Sequence, residues 1–140
     1  MILGIGVDIA EVARVREAIE RHGERLLQRV FTPGEIAYCR RHKNAPERFA
    51  ARFAAKEAAM KALGTGWGKG VAWRDFEVSN APGGKPALKL TGKAAEIFQR
   101  LGGGSMLLSL THTAEHALAY VIFEAEEARE AEEAKEAEEA

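Results

Sequence analysis

The chain has 140 residues, 46% hydrophobic and 29% charged, which sets one domain as the default and allows a real core. A lone cysteine, Cys39, excludes an internal disulfide; no apolar run nears the roughly 20 residues of a membrane span, and Asp8 comes too early for a signal peptide, so a cytoplasmic protein is expected. The net charge of −1 hides an acidic end, with nine Glu against Arg129 and Lys135 over 124–140, and a body of +6, which favours an acidic or phosphorylated partner.

Ile2 to Ile9 is predicted as a buried strand. Alternation puts Leu3, Ile5, Val7 and Ile9 on one face and Ile2, Gly4, Gly6 and Asp8 on the other. Two missing side chains beside a carboxylate leave room for something to approach the backbone. A helix follows from about Ala10 to His22, is interrupted at Gly23, and its apolar face continues through Leu26, Leu27, Val30 and Phe31.

Thr32-Pro33-Gly34-Glu35 reads as a capping box with Pro at the first helical position, opening a helix to about Arg41. Asn44-Ala45-Pro46-Glu47 starts another, running to Leu63 and stopped by Gly64. This helix is alanine-rich and mostly apolar all round, yet it carries Arg52, Lys56, Glu57 and Lys61. It feeds a loop with glycine at 64, 66, 68 and 70.

Strands are predicted over Trp73–Ser79 and Ala87–Leu90, with a turn rich in Gly and Pro between them. A helix over Gly92–Leu101 precedes a closing strand pair, Met106–Thr111 and Ala117–Phe123. The domain is expected to span residues 1–123. The repeat E-A-E-E-A over 124–140 advances without a fixed apolar stripe, so it is expected to be a solvated, partly helical or disordered tail.

Several residues admit two readings. Asp8 precedes a helix and can be its N-cap, or it can face a cleft as a ligand. Glu57 can pair with Lys61 at i,i+4, or serve a site. Two carboxylates from different elements suit Mg²⁺, which completes its shell with water and phosphates. The alternating glycines can be a linker, or can turn N–H groups toward phosphates. They match neither a Walker motif nor the dinucleotide spacing. Ser109-Leu110-Thr111-His112-Thr113 can be a polar strand end, a Ser–His pair or a phosphate subsite. His22, His42 and His116 show no zinc spacing with Cys39.

Three stretches together resemble the holo-acyl-carrier-protein synthases, the short bacterial 4′-phosphopantetheinyl transferases. They are G-I-G-V-D-I-A-E-V-A-R from Gly4 to Arg14, F-A-A-K-E-A-A-M-K-A-L-G-T-G, and S-L-T-H-T. The second is similar to the family pattern W/F-x-x-K-E-A-x-x-K-A-x-G-x-G. The resemblance covers about residues 1–123; the glutamate-rich tail departs from it.

The resemblance implies an α+β fold with one strand–helices–strands unit per chain. It also implies a homotrimer with active sites between subunits. The implied reaction moves 4′-phosphopantetheine from coenzyme A to a serine of apo acyl carrier protein, releasing adenosine 3′,5′-bisphosphate. Asp8 and Glu57 would hold Mg²⁺, and Lys61 would lie beside the pyrophosphate. The base is either Glu57 or a metal-bound water near Asp8. Arg52, Lys61, Gly64, Gly66, Lys85, Pro86, Ser109, His112 and Thr113 fall where the family contacts coenzyme A, with His112 at the 3′-phosphate. Arg14, within the first motif, would meet the acidic recognition helix of the carrier, and charge and helix position add Arg21 and Arg25.

Two other readings compete. A non-catalytic coenzyme A or nucleotide-binding module would not require a metal at the pyrophosphate. A basic RNA-binding domain would be expected to carry an aromatic strand motif, and this chain has none.

Overall fold

The computed structural model describes residues 1–127 and 135–139. The order is β1 (Ile2–Glu11), α1 (Val12–His22), α2 (Glu24–Val30), α3 (Pro33–Arg40), α4 (Ala45–Leu63), β2 (Phe76–Asn80), β3 (Pro86–Leu90), α5 (Gly92–Arg100), β4 (Gly103–His112) and β5 (His116–Ala125). Strands β1, β5 and β4 form an antiparallel sheet in that spatial order, and β2 and β3 form a separate hairpin. This is the expected α+β arrangement. Among the described residues, no helix is long and apolar enough to cross a membrane.

Helix α4 lies across the inner face of the three-stranded sheet, and the core is built on it. Its alanines Ala50, Ala54, Ala55, Ala58 and Ala59 are fully buried. Small residues let the helix approach closely, and β1 answers with glycines. A Cβ on Gly6 would lie 1.8 Å from the Ala58 carbonyl oxygen, and one on Gly4 would lie 1.9 Å from that of Ala62. What approaches this strand's bare backbone is therefore α4 itself.

That packing corrects the expected burial of β1. The glycine face is the inner one, where Gly6 and Ala10 are buried. Ile5, Val7 and Ile9 point outward and are exposed. They pair across the sheet with Ile122, Tyr120 and Leu118, and beyond these lie Leu107, Ser109 and Thr111. The outer face is thus a broad, mostly apolar surface. Hydrophobic alternation located the two faces of the strand but not which of them meets the core.

The Thr32 capping box forms as expected. The Thr32 N–H donates to Glu35 Oε1 at 2.9 Å, and the Glu35 N–H donates to Thr32 Oγ1 at 3.3 Å. Helix α4 also stops as expected, with Gly64 left-handed at φ 79°. The strand expected from Trp73 begins instead at Phe76. Trp73–Asp75 is a short 3₁₀ turn, closed by the Ala72 N–H donating to Asp75 Oδ2 at 3.1 Å. β1 continues to Glu11, so α1 begins two residues later than expected. At the other end β5 continues two residues past Phe123. Tail residues 128–134 and 140 lie outside the described residues, while 135–139 are helical and exposed.

Candidate active site

Asp8 sits in mid-strand on the inner face of β1, paired with Ala119. The N-cap of α1 is Glu11, so Asp8 is not a helix cap. Glu57 reaches it from α4, one residue before the Ala58 that packs on Gly6. The two carboxyls lie close enough to interact, and the Glu57 carboxyl is raised to about 7. Burial is the main cause, followed by the neighbouring Asp8, with Lys61 opposing. Lys61 does not pair with Glu57 along the helix. Its Nζ donates to Asp8 Oδ1 at 2.8 Å and to the Val7 carbonyl at 3.1 Å.

Two carboxyls from different elements, drawn together beside a lysine, are a donor set suited to a hard divalent cation. Among the described residues, no group of three or more His, Cys, Asp or Glu side chains converges as a complete metal cage.

A second centre lies nearer the start of α4. Arg48, Arg52, His112 and Pro86 line a cavity of about 150 Å³ with Tyr38 and Asn80. Arg52 is only 3% exposed, and its Nη2 donates to Asn80 Oδ1 at 2.7 Å. Among the described residues, its Nε lacks a hydrogen-bond partner. His112 Nδ1 lies 3.1 Å from Glu47 Oε1. The structure thus brings together Arg52, Pro86 and His112 of the expected residues, and adds Arg48, Tyr38 and Asn80. Arg48, a turn before Arg52 on α4, was legible from i,i+4 spacing alone.

Other expected residues fall elsewhere. Ser109 is on the outer sheet face beside Tyr120, whereas His112 is on the inner face opposite Ala117. A Ser109–His112 nucleophile pair is therefore excluded by the pleat. Ser109 instead lines a cavity of about 400 Å³ with Lys85, Pro86 and Tyr120. Thr113 closes the β4–β5 turn, its hydroxyl accepting from the N–H groups of Glu115 and His116. In the glycine loop, the N–H groups of Gly64, Gly66 and Gly68 donate to carbonyls of Lys61, Met60 and Thr65. These satisfy the orphan carbonyls at the end of α4 and its extension, so the three N–H groups are not free for phosphates.

Arg14, Arg21 and Arg25 are all exposed on the α1–α2 surface. Arg14 pairs weakly with Glu11 at 3.4 Å. It also edges an apolar groove of about 380 Å³ with Arg29, floored by Ile19, Phe53, Trp67 and Trp73. Trp67 rises from the glycine loop and meets Trp73 edge-on, with centroids 4.5 Å apart. Arg29 and this aromatic floor were missed in the sequence, because their convergence depends on how the loop folds back.

Known proteins of similar sequence and fold identify the family. The sequence profile of the 4′-phosphopantetheinyl transferase superfamily matches residues 4–121. The holo-[acyl-carrier-protein] synthase of Koribacter versatilis is 57% identical over 124 residues, covering 89% of this chain and 99% of that protein. That of Solibacter usitatus is 56% identical with the same coverage. Among solved structures, the synthase of Neisseria meningitidis superposes with a TM-score of 0.81 at 31% identity, covering 89% of this chain and 99% of that one. The Helicobacter pylori synthase in complex with coenzyme A gives 0.76 at 32% identity, covering 86% and 99%. With both carboxylate motifs inside the matched region, the chain belongs to the 4′-phosphopantetheinyl transferase superfamily, among the holo-[acyl-carrier-protein] synthases.

Proposed function

We propose that this chain transfers 4′-phosphopantetheine from coenzyme A to a serine of apo acyl carrier protein. The observation that carries the reading is the convergence of Asp8, Glu57 and Lys61 at the β1–α4 contact. The serine oxygen attacks the phosphorus that bears the pantetheine arm, and the bond to the departing adenosine 3′,5′-bisphosphate breaks. Glu57, on α4 beside Asp8, is the carboxylate placed to accept the serine proton. Lys61 presents a point charge to the pyrophosphate while anchored on Asp8. Asp8 and Glu57 would hold Mg²⁺, which when bound supplies charge neutralisation at the pyrophosphate oxygens. Arg52 and His112 would hold the 3′-phosphate.

Arg14, Arg21 and Arg25 fit an acidic carrier helix, and the apolar groove beside Arg14 fits a side chain of that helix. The outer sheet face supports a homotrimer. Its exposed Ile5, Val7, Ile9, Leu107 and Tyr120 form the kind of surface that marks an interface. Ser109 and His112 lie on opposite faces, in two cavities that share Pro86, and a subunit docked on the outer face would cover the one that holds Ser109. Tyr120→Asp should shift the protein from trimer to monomer in sedimentation and cut transfer with it. A wild-type protein that sediments as a monomer would remove this part of the reading.

The test of function is incubation with apo carrier, coenzyme A and Mg²⁺, followed by mass spectrometry. A phosphopantetheine adduct on the carrier is expected. Its absence under every divalent metal would refute the transferase reading and leave a coenzyme A-binding module.

The Glu57 shift also predicts a pH dependence. Its folded value lies above the ordinary 4.5. Its contribution to stability without metal is therefore present below about 4.5 and lost as pH rises through about 7. Mg²⁺ competes with the Glu57 proton, so its stabilising effect should grow across that window. Melting curves from about pH 5 to 8, with and without Mg²⁺, read this directly. A metal effect independent of pH, or one that persists in Glu57→Gln, would contradict it.

A further inference from the structure

Arg48 and Arg52 stand one turn apart on α4, where like charges repel. Among the described residues, neither forms an ion pair with a carboxylate; the groups that brace them are neutral. Asn44 Oδ1 accepts from Arg48 Nε at 3.3 Å, and Asn80 Oδ1 accepts from Arg52 Nη2 at 2.7 Å. Tyr38, on α3, touches both. Its ring centroid is 4.0 Å from Arg52 Cζ, and its hydroxyl accepts from Arg48 Nη1 at 3.2 Å. The negative face of the ring and the phenol oxygen both favour a cation there.

A nearly buried guanidinium without a counter-charge is costly, and its natural relief is an arriving anion. A carboxylate brace would hold the arginines as firmly, but it would cancel the field they present. Tyrosine holds them and leaves their charge intact. The cavity they border also takes in His112, a third group that can donate to oxygen.

We infer that Tyr38 is a positioning residue, holding Arg48 and Arg52 as an uncompensated cation pair that selects the 3′-phosphate monoester of coenzyme A. The inference rests on the transferase reading for the identity of the ligand, not for the presence of an anion site. Arg48 joins Arg52 and His112 as a contact to that phosphate.

The test compares coenzyme A with dephospho-coenzyme A, which lacks only this phosphate, in wild type, Tyr38→Leu and Tyr38→Phe. Wild type should prefer coenzyme A in kcat/KM by about 10–100-fold, the range set by one charge-assisted hydrogen bond. Tyr38→Leu should shrink that preference to about threefold or less, through KM rather than kcat. Tyr38→Phe keeps the ring under Arg52 and loses only the bond to Arg48, so its preference should fall between the two. It also serves if the leucine variant fails to fold.

A parallel titration measures adenosine 3′,5′-bisphosphate against adenosine 5′-monophosphate by calorimetry in the same proteins. An equal loss with both donors would mark Tyr38 as a packing residue and overturn the inference; so would an undiminished preference in both variants. If wild type transfers from neither donor but still binds the bisphosphate more tightly in a Tyr38-dependent way, the transferase reading fails and the anion site stands. If wild type binds the two nucleotides equally, the anion site fails by itself.

Discussion

Glu57→Gln should lower phosphopantetheine transfer by about 10²–10⁴-fold, the usual worth of a positioned general base. The amide keeps nearly the same shape and can still hydrogen-bond to Asp8. It cannot take a proton, and it withdraws one of the two charges that face a cation. The repulsion between the carboxyls disappears as well, so the metal-free variant should melt no lower than wild type. Asp8→Asn should be as damaging for a different reason, because it also takes the counter-charge from Lys61 and leaves it only neutral acceptors. The two variants are separable by the Michaelis constant for coenzyme A. It should rise more in Asp8→Asn, where the lysine is held less firmly, than in Glu57→Gln. Transfer near the wild-type rate in either variant would remove that residue from the proposed chemistry.

Lys56→Met should be the most damaging single change to stability. Lys56 and Glu35 are paired at 2.7 Å with both side chains at 0% exposure. Lys56 also donates to the carbonyls of Trp73 and Phe76, while Glu35 accepts from the N–H groups of Thr32 and Val78. One buried pair thus ties together α3, α4, the 3₁₀ turn and β2. Burial pushes the Lys56 ammonium below its ordinary value, and Glu35 pulls it back up. Removing the cation strands a carboxylate in the core, at a cost of about 3–5 kcal/mol. For a chain of this size that corresponds to a fall of about 10–20 °C in melting temperature. Adding Glu35→Gln should recover about half, since it removes the stranded charge but offers one acceptor oxygen where two are used. A single variant that melts within a few degrees of wild type would show that water reaches the pair.

Much of this architecture is local and was readable residue by residue. The capping box at Thr32, the stop at Gly64 and the all-round burial of α4 each follow from short-range rules. The chemistry of Asp8 and Glu57 was readable only as a set of alternatives. Each has an ordinary use within its own element, and only long-range packing shows that neither takes it. Which face of β1 meets the core was not legible, because its glycines make the inner face look empty, when a helix of alanines fills it. The split between Ser109 and His112 follows from the pleat and needed only a count of residues. The Tyr38 brace had no signal in sequence, because α3 meets α4 through a connection that fixes no spacing.

The contact of Gly4 and Gly6 with Ala58 and Ala62 has a consequence for ion choice. Asp8 and Glu57 stand on two backbones that touch directly, with no side chain between them to yield like a spring. Their spacing therefore depends on that backbone contact as well as on their own side-chain torsions. Mg²⁺ binds oxygen at about 2.0–2.1 Å and Ca²⁺ at about 2.3–2.6 Å. Under the proposed metal role, a methyl group added at Gly6 would push the helix away, part the two carboxyls and shift the preference toward the larger ion.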